Sequence, residues 1–302
     1  MAILNRASIA SQLLPGLNAI MGLEYKNVDQ EDLALFDADT SDKAFEEVVM
    51  MSGFETAPTK AEGAAVEYAS AQESYKAVWT NETIAQAFAI TEEALEDNLY
   101  DTFSKIKAKA LGRSVGNTVQ TKAANIFNNG FSTSYPIGDG VALFSASHPT
   151  VGAGTQSNTA STDLSETALE NALISISQFK DDQGILIGAQ VRSLHIPPQL
   201  QFVSERILRS PGRTGTADND INAVKSMGML PKGYSVNHRF TDTNAWFLRT
   251  DVPFGFIKFT RVPLQTKMEG DFDTGNMRYK ARMRLAYGVG DWRAGYGSAG
   301  SS

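Results

Sequence analysis

Residues 91–130 read TEEALEDNLYDTFSKIKAKALGRSVGNTVQTKAANIFNNG. Thr91 is a helix N-cap, and Glu92 and Glu93 sit where the helix dipole favours acids. Leu95, Leu99, Phe103, Ile106 and Ala110 recur with a 3.6-residue rhythm, which Val115, Val119, Ala123 and Ile126 continue. Asn128-Asn129-Gly130 supplies the stop. The spacing predicts one helix of ~37 residues, roughly 55 Å long at 1.5 Å per residue, against a mean of about 11–12 residues for globular proteins. Its apolar stripe is narrow, which suits a helix lying along a sheet, and Gly112 and Gly116 are possible bend points.

The sheet face to receive such a helix is legible near the end of the chain. From Met277 to Leu285 the odd positions (Met277, Tyr279, Ala281, Met283, Leu285) are apolar, and the even ones (Arg278, Lys280, Arg282, Arg284) are all basic. Strict period-two alternation predicts a strand with one face on the core. Four cations on one strand face repel one another unless something acidic covers them.

Upstream of the long helix, residues 1–45 show no sustained period. A short helical possibility around Leu13–Leu23 is interrupted by Pro15-Gly16, and the segment reads as an arm draped over another surface. Residues 46–90 read as an extended hairpin with a polar, Ala-rich tip, from β-like runs at Val66-Glu67-Tyr68, Tyr75–Thr80 and Ile84–Ile90. Such a hairpin cannot bury both faces and needs a partner surface. Downstream, residues 130–163 read as loop, Ser165-Glu166 opens a helix to about Phe179, and Val191–Ile196 is a strand. Pro197-Pro198 starts a helix ending near Arg209, residues 210–222 are a polar loop, and Trp246-Phe247-Leu248 is a strand.

Bulk properties exclude several classes. A chain of 302 residues accommodates one large core or two modest ones. It has no cysteine, which removes disulfides, thiolate nucleophiles and zinc–thiolate sites and fits a reducing compartment. No apolar run approaches the ~18 residues of a membrane span, and no secretory signal is read at the N-terminus. The net charge of −7 argues against a general nucleic-acid binder. The distribution says more than the sum. Residues 1–101 hold 5 basic and 19 acidic residues, a balance of −14, whereas residues 102–302 stand at +7. An acidic third joined to a basic two-thirds points to one region answering the other, within a molecule or between copies.

Chemistry-bearing patterns are sparse. Ser145 or Ser147 beside His148 is the nearest thing to a Ser–His hydrolase pair, yet loop neighbours supply neither an orienting acid nor an oxyanion hole; His148 is expected to be structural. His195 reads as a packed core residue, and His238 stands alone. Asp218-Asn219-Asp220-Ile221-Asn222 imitates the start of a calcium loop, but Ala223 stands where glycine is needed and Met229 where the bidentate acid belongs. No phosphate-cradling or metal-helix motif occurs. No catalytic residue, cofactor or metal is expected, and a non-enzymatic protein follows.

Several phrases of the second half carry a family resemblance. They are Asp139-Gly140, Leu143-Phe144-Ser145, His148-Pro149 with Asn158, Ile196-Pro197-Pro198-Gln199-Leu200 and Ile207-Leu208-Arg209-Ser210. Asp242 through Leu248 and the closing run Tyr287 through Ser298 complete the set. In order and spacing over residues 91–302 they resemble the major head subunits of Mu-like tailed phages. The resemblance implies the Hong Kong-type α+β capsid fold, shared with encapsulins: an N-terminal arm (1–45), an extended hairpin loop (46–90), and a peripheral domain with a spine helix (91–150). An axial domain (151–240) and a return to the peripheral domain (241–302), including a basic strand at 277–288, complete it. It further implies a shell of hexamers and pentamers enclosing double-stranded DNA, assembled in the host bacterial cytoplasm. The implied partners are copies of the chain, a portal protein, a separate scaffolding protein and, as an optional addition, a decoration protein, with packaged DNA touched weakly, and no membrane. An encapsulin-type nanocompartment is the nearest alternative, a tail or baseplate component another, and a Ser/His hydrolase a remote one. The charge split adds an expectation: Glu55, Glu62, Glu67 and Glu73 of one subunit's hairpin meet Arg278, Lys280, Arg282 and Arg284 of a neighbour.

Overall fold

A computed structural model describes residues 6–91, 93, 100–212, 220–271 and 274–301. Helices α1 (Arg6–Asn27) and α2 (Asp32–Leu35) lead into β1 (Asp37–Thr40), and β2 (Phe45–Met51) and β3 (Glu73–Thr80) form an antiparallel ribbon. Strand β4 (Glu82–Ile90) precedes α3 (Tyr100–Asn128), 29 residues or about 43 Å of helix. Short strands β5 (His148–Pro149), β6 (Thr155–Gln156) and β7 (Thr159–Ala160) follow. Then come α4 (Glu166–Ser177), β8 (Val191–Ile196), α5 (Gln201–Arg209), α6 (Ala223–Ser226) and β9 (Tyr234–Val236). The chain closes with β10 (Trp246–Thr250), β11 (Phe256–Gly270), β12 (Met277–Val289) and β13 (Gly295–Ser298).

Two sheets organise these elements. The first has the order β1-β11-β12-β4, and α1 and α3 cover one of its faces. Under them lie Tyr279, Ala281, Met283 and Leu285, the apolar half of the alternation read from the sequence. The second sheet, β7-β13-β10-β8-β9, packs against α4 through Leu169, Ala172, Leu173 and Ile176. The helix α4 begins as expected, with Ser165 Oγ accepting the Ala168 N–H. A phenylalanine-rich cluster joins the two lobes: Phe127 at the end of α3 stacks 4.9 Å from Phe256 and packs edge-on, 5.2 Å away, against Phe247.

Four sequence expectations change. The helix α1 runs straight through Pro15 and lies on α3, with Leu17 and Met21 buried. Residues 14–42 therefore pack on their own chain instead of draping elsewhere. Gly112 makes this possible, because a Cβ there would come 2.6 Å from the Met21 carbonyl oxygen. Second, the buried stripe of α3 is Ser104, Ala108, Leu111, Val115, Val119 and Ala123, while Ile106 and Ala110 face outward. That stripe is the one that meets both α1 and β12. Leu95 and Leu99 lie outside the described residues. Third, Ile84–Ile90 leaves the hairpin and pairs with β12 from Met277↔Ile90 to Leu285↔Glu82, so the ribbon spans only Phe45 to Thr80. Fourth, the 15-residue strand β11 occupies a stretch where the sequence predicts no element. Pro263 and two register shifts mask its alternation.

Candidate interaction surfaces

The outer face of the first sheet is built by register. Arg278 lies between Glu269 and Ala89, Lys280 between Lys267 and Ala87, Arg282 between Gln265 and Ala85, and Arg284 between Val262 and Thr83. Thus β11 adds a fifth cation, Lys267, directly opposite Lys280. Arg278 is answered by Asp271 at 2.5 Å, and Lys267 pairs with Glu269 along its own strand. Arg284 is half-buried; its Nη2 lies 3.5 Å from the Asn81 carbonyl, while its Nε is buried without a partner. Among the described residues no acid stands within ion-pair distance of Lys280 or Arg282. Like charges on adjacent exposed positions oppose one another, so this face is incomplete as it stands.

The ribbon turns one face to the body. Tyr75 Oη donates to the Gly290 carbonyl at 3.0 Å, and Trp79 stacks on Phe259 at 5.6 Å. Gly288 allows that approach, since any Cβ there would overlap the Trp79 ring. The other face shows Phe45, Val49 and Val78 to solvent beside a Lys76–Glu47 pair at 2.5 Å. Beyond Met51 every residue from Gly53 to Glu73 is exposed, with Tyr68 at 96% and Val66 at 67%. Glu55, Glu62, Glu67 and Glu73 stand on this stretch, and none of the four makes an ion pair among the described residues. One chain thus gathers the four cations onto a single face and the four acids at the end of the ribbon, three on the loop and Glu73 at the start of β3, and does not bring the two sets together.

The residues with catalytic potential serve packing instead. His148 is fully buried: Nδ1 meets Asp139 Oδ2 at 2.6 Å, Nε2 meets Asn158 Oδ1 at 3.0 Å, and the ring stacks 4.4 Å from Trp292. Asn158 also donates to the carbonyls of Leu143, Trp292 and Gly295, at 2.8–3.2 Å. Both ring nitrogens are therefore engaged, and neither Ser145 nor Ser147 forms a pair with His148. His195, buried between Ser193 (2.9 Å) and Ser235 (2.6 Å), is held neutral: burial first, then Arg249 and Lys232, push it down to about 3. His238 does not stand alone. Its Nδ1 lies 2.6 Å from Glu31, which Arg239 also binds at 2.8 Å. Asp29 completes a group whose ligand atoms lie within 4.8 Å of one another, although the Arg239 guanidinium already occupies Glu31. Asp218 and Asn219 fall outside the described residues.

Sequence reasoning missed the residue that ties the arm down. Asp32 is buried and accepts Lys258 Nζ at 2.5 Å, Gln120 Nε2 at 2.6 Å and Tyr287 Oη at 2.8 Å, while its N–H donates to Gln120 Oε1. Burial raises the carboxyl, but these donors outweigh it and hold it below the usual carboxylate range. A second buried node joins Arg293 to Asp182 at 2.6 Å and to Asp291 at 3.2 Å. The ties Asp32–Lys258, Asp32–Tyr287 and Arg293–Asp182 each span more than 100 positions, so no local pattern announces them.

A long helix on a four-stranded sheet, a second sheet behind it and a projecting ribbon constitute the fold of virus-shell subunits. The chain is similar to the capsid of an empty GTA particle (TM-score 0.60, 11% identity, 89% of each chain). It is also similar to a virus-like particle from Pyrococcus furiosus (TM-score 0.55, 11% identity, 93% of this chain and 97% of that one). The capsid of cyanophage P-SCSP1u is a third similar structure (TM-score 0.55, 11% identity, 89% and 87%). These likenesses establish the Hong Kong-type capsid fold. Residues 76–298 match the family described as phage capsid protein, and the chain belongs to that family. It is a structural protein of the phage capsid. No characterised protein matches it in sequence. Among the described residues no helix is long and apolar enough to cross a membrane.

Proposed function

We propose that this chain is the major head subunit of a Mu-like tailed phage, assembling through hexamers and pentamers into an icosahedral head around double-stranded DNA. The observation that carries the reading is the mismatch within one chain: an open sheet face with Lys280 and Arg282 unanswered, and an acidic loop with no surface of its own. A contact of one patch with a different patch on the next copy is heterologous, and rotation that closes produces rings. In this reading the acids Glu55, Glu62, Glu67 and Glu73 cover Arg278, Lys280, Arg282 and Arg284 of the neighbour, with complementarity setting register and partner choice. The ribbon and loop act as the extended hairpin, α3 as the spine, and the lobe of α4 to β9 as the axial domain. A portal protein and a scaffolding protein are the partners during assembly, and DNA is touched weakly, in keeping with the overall charge of −7.

The double reversal Lys280→Glu with Arg282→Glu tests the contact. The expected result is a folded, soluble subunit that forms no shells; normal particles refute the reading. Intact empty shells that lose the genome would instead assign these cations to DNA. The similarity to a virus-like particle favours one second reading, a nanocompartment shell of the same fold. Particles purified with packaged protein and no DNA would decide for it.

A further inference from the structure

Strand β4 is the edge of its sheet, and its free side is unprotected. Among the described residues its backbone ladder joins only β12. From Thr83 to Ile90 it carries no charge and no proline, the devices that usually keep edge strands from pairing. Lys107 Nζ reaches the Ala89 carbonyl at 3.4 Å, at one end only. The same chain holds a segment with the opposite deficit. Between residues 53 and 71 the described backbone bonds amount to one turn, Ala64 N–H to the Ala61 carbonyl at 3.1 Å. Residues 64–71 alternate as a strand does, with Ala64, Val66, Tyr68 and Ser70 on one side and Ala65, Glu67, Ala69 and Ala71 on the other.

We infer that residues 64–71 of one subunit add as a fifth strand along the free edge of β4 in a neighbouring subunit. Three features fit this occupant. The β4 residues on the cation side are Thr83, Ala85, Ala87 and Ala89, a low row between β12 and any added strand. Two strand spacings, about 9.6 Å, then separate the new strand from β12; across alanines, the long side chains of Lys280 and Arg282 can lean toward Glu67. On the other side Val66 and Tyr68, both exposed in the single chain, would extend the apolar surface of Ile84 and Phe88. The loop's own root lies elsewhere: a Cβ at Gly53 would stand 3.1 Å from Asp181, in the lobe of the second sheet. Main-chain hydrogen bonds supply the affinity of such strand addition, and the flanking charges set its register.

The inference rests on the shell reading and deepens it by naming the contact. The chain has no cysteine, so disulfide trapping is clean. Ala69→Cys is combined in turn with Ala85→Cys, Ala87→Cys and Ala89→Cys in the full chain, assembled, oxidised and run on a non-reducing gel. Ala69→Cys with Ile174→Cys, exposed on α4, is the control. A ladder of linked subunits from at least one β4 combination and none from the control is expected. Intact shells without a ladder from any of the three overturn strand addition while leaving the shell reading standing. Failure of the unsubstituted chain to form shells with its scaffolding protein supplied overturns both. Independently, Val66→Pro removes a ladder donor from a segment that the folded subunit does not use. Particle yield should fall at least tenfold with an unchanged circular dichroism spectrum; unchanged yield counts against the inference.

Discussion

Replacing Asp32 with alanine should strand the Lys258 ammonium under the arm. In the folded chain that carboxylate receives three side-chain donors at 2.5–2.8 Å, and Lys258 also sits 5.7 Å from the centre of the Tyr287 ring. Breaking a buried ion pair by removing one partner costs roughly 3–5 kcal/mol. Lys258 retains 15% side-chain exposure and can partly rehydrate, which places the loss near the lower end, about 3 kcal/mol. For a chain of this size each kcal/mol moves Tm by roughly 2–4 °C, so a fall of about 6–12 °C is expected in calorimetry of disassembled subunits. Adding Lys258→Met removes the stranded charge and should recover about 1–2 kcal/mol, because an apolar replacement of a buried pair is often close to neutral. A loss below about 1 kcal/mol for Asp32→Ala, or no recovery in the double variant, would refute the keystone role. The pH signature has a definite sign. Because the folded carboxyl titrates below its unfolded value, its stabilisation is present above the ordinary carboxylate range and disappears as pH falls through the folded pKa.

Three further outcomes are expected. His195, held down to about 3 against an unfolded value of 6.5, stabilises the fold above pH 6.5 and loses that contribution as pH falls toward 3, at up to about 1.4 kcal/mol per pH unit; denaturant titrations at pH 7 and 5.5 should show the slope, and His195→Gln should flatten it. Gly112→Ala drives a methyl into the Met21 carbonyl and should cost about 1–3 kcal/mol by lifting α1 from the spine, read as a lower Tm and faster proteolysis near residue 20. Asn158→Ala removes a side chain that holds three carbonyls, the Ser145 N–H and His148, and should cost at least about 3 kcal/mol in the same assay; a loss under about 1 kcal/mol would show that the node is dispensable.

The sequence by itself determined what is periodic and local. The alternation of Met277–Leu285 became β12 with its apolar side under two helices, since a pleated strand sends successive side chains to opposite faces whatever its neighbours are. The spine, the Ser165 cap and the strands at Val191 and Trp246 were legible for the same reason, as was the concentration of acids before residue 102. What only the tertiary structure decided is which surface each element faces. A 3.6-residue rhythm on the spine pointed to Ile106 and Ala110, yet Ala108, Leu111, Val115 and Val119 hold the buried side, because that stripe faces α1 and β12 together. Pro15 does not end α1 because Leu17 and Met21 gain burial that outweighs its cost. Ile84–Ile90 carried a strand signal with no indication that its partner lay nearly 200 residues away. Asp32, His148 and Asn158 acquire their roles through contacts with distant positions, and hydrogen bonds of that kind leave no spacing in the chain. The charge split was visible at once; that Glu31, Asp32 and Asp37 answer Arg239, Lys258 and Arg249 within one molecule, while the loop acids reach no cation among the described residues, is a fact of three dimensions.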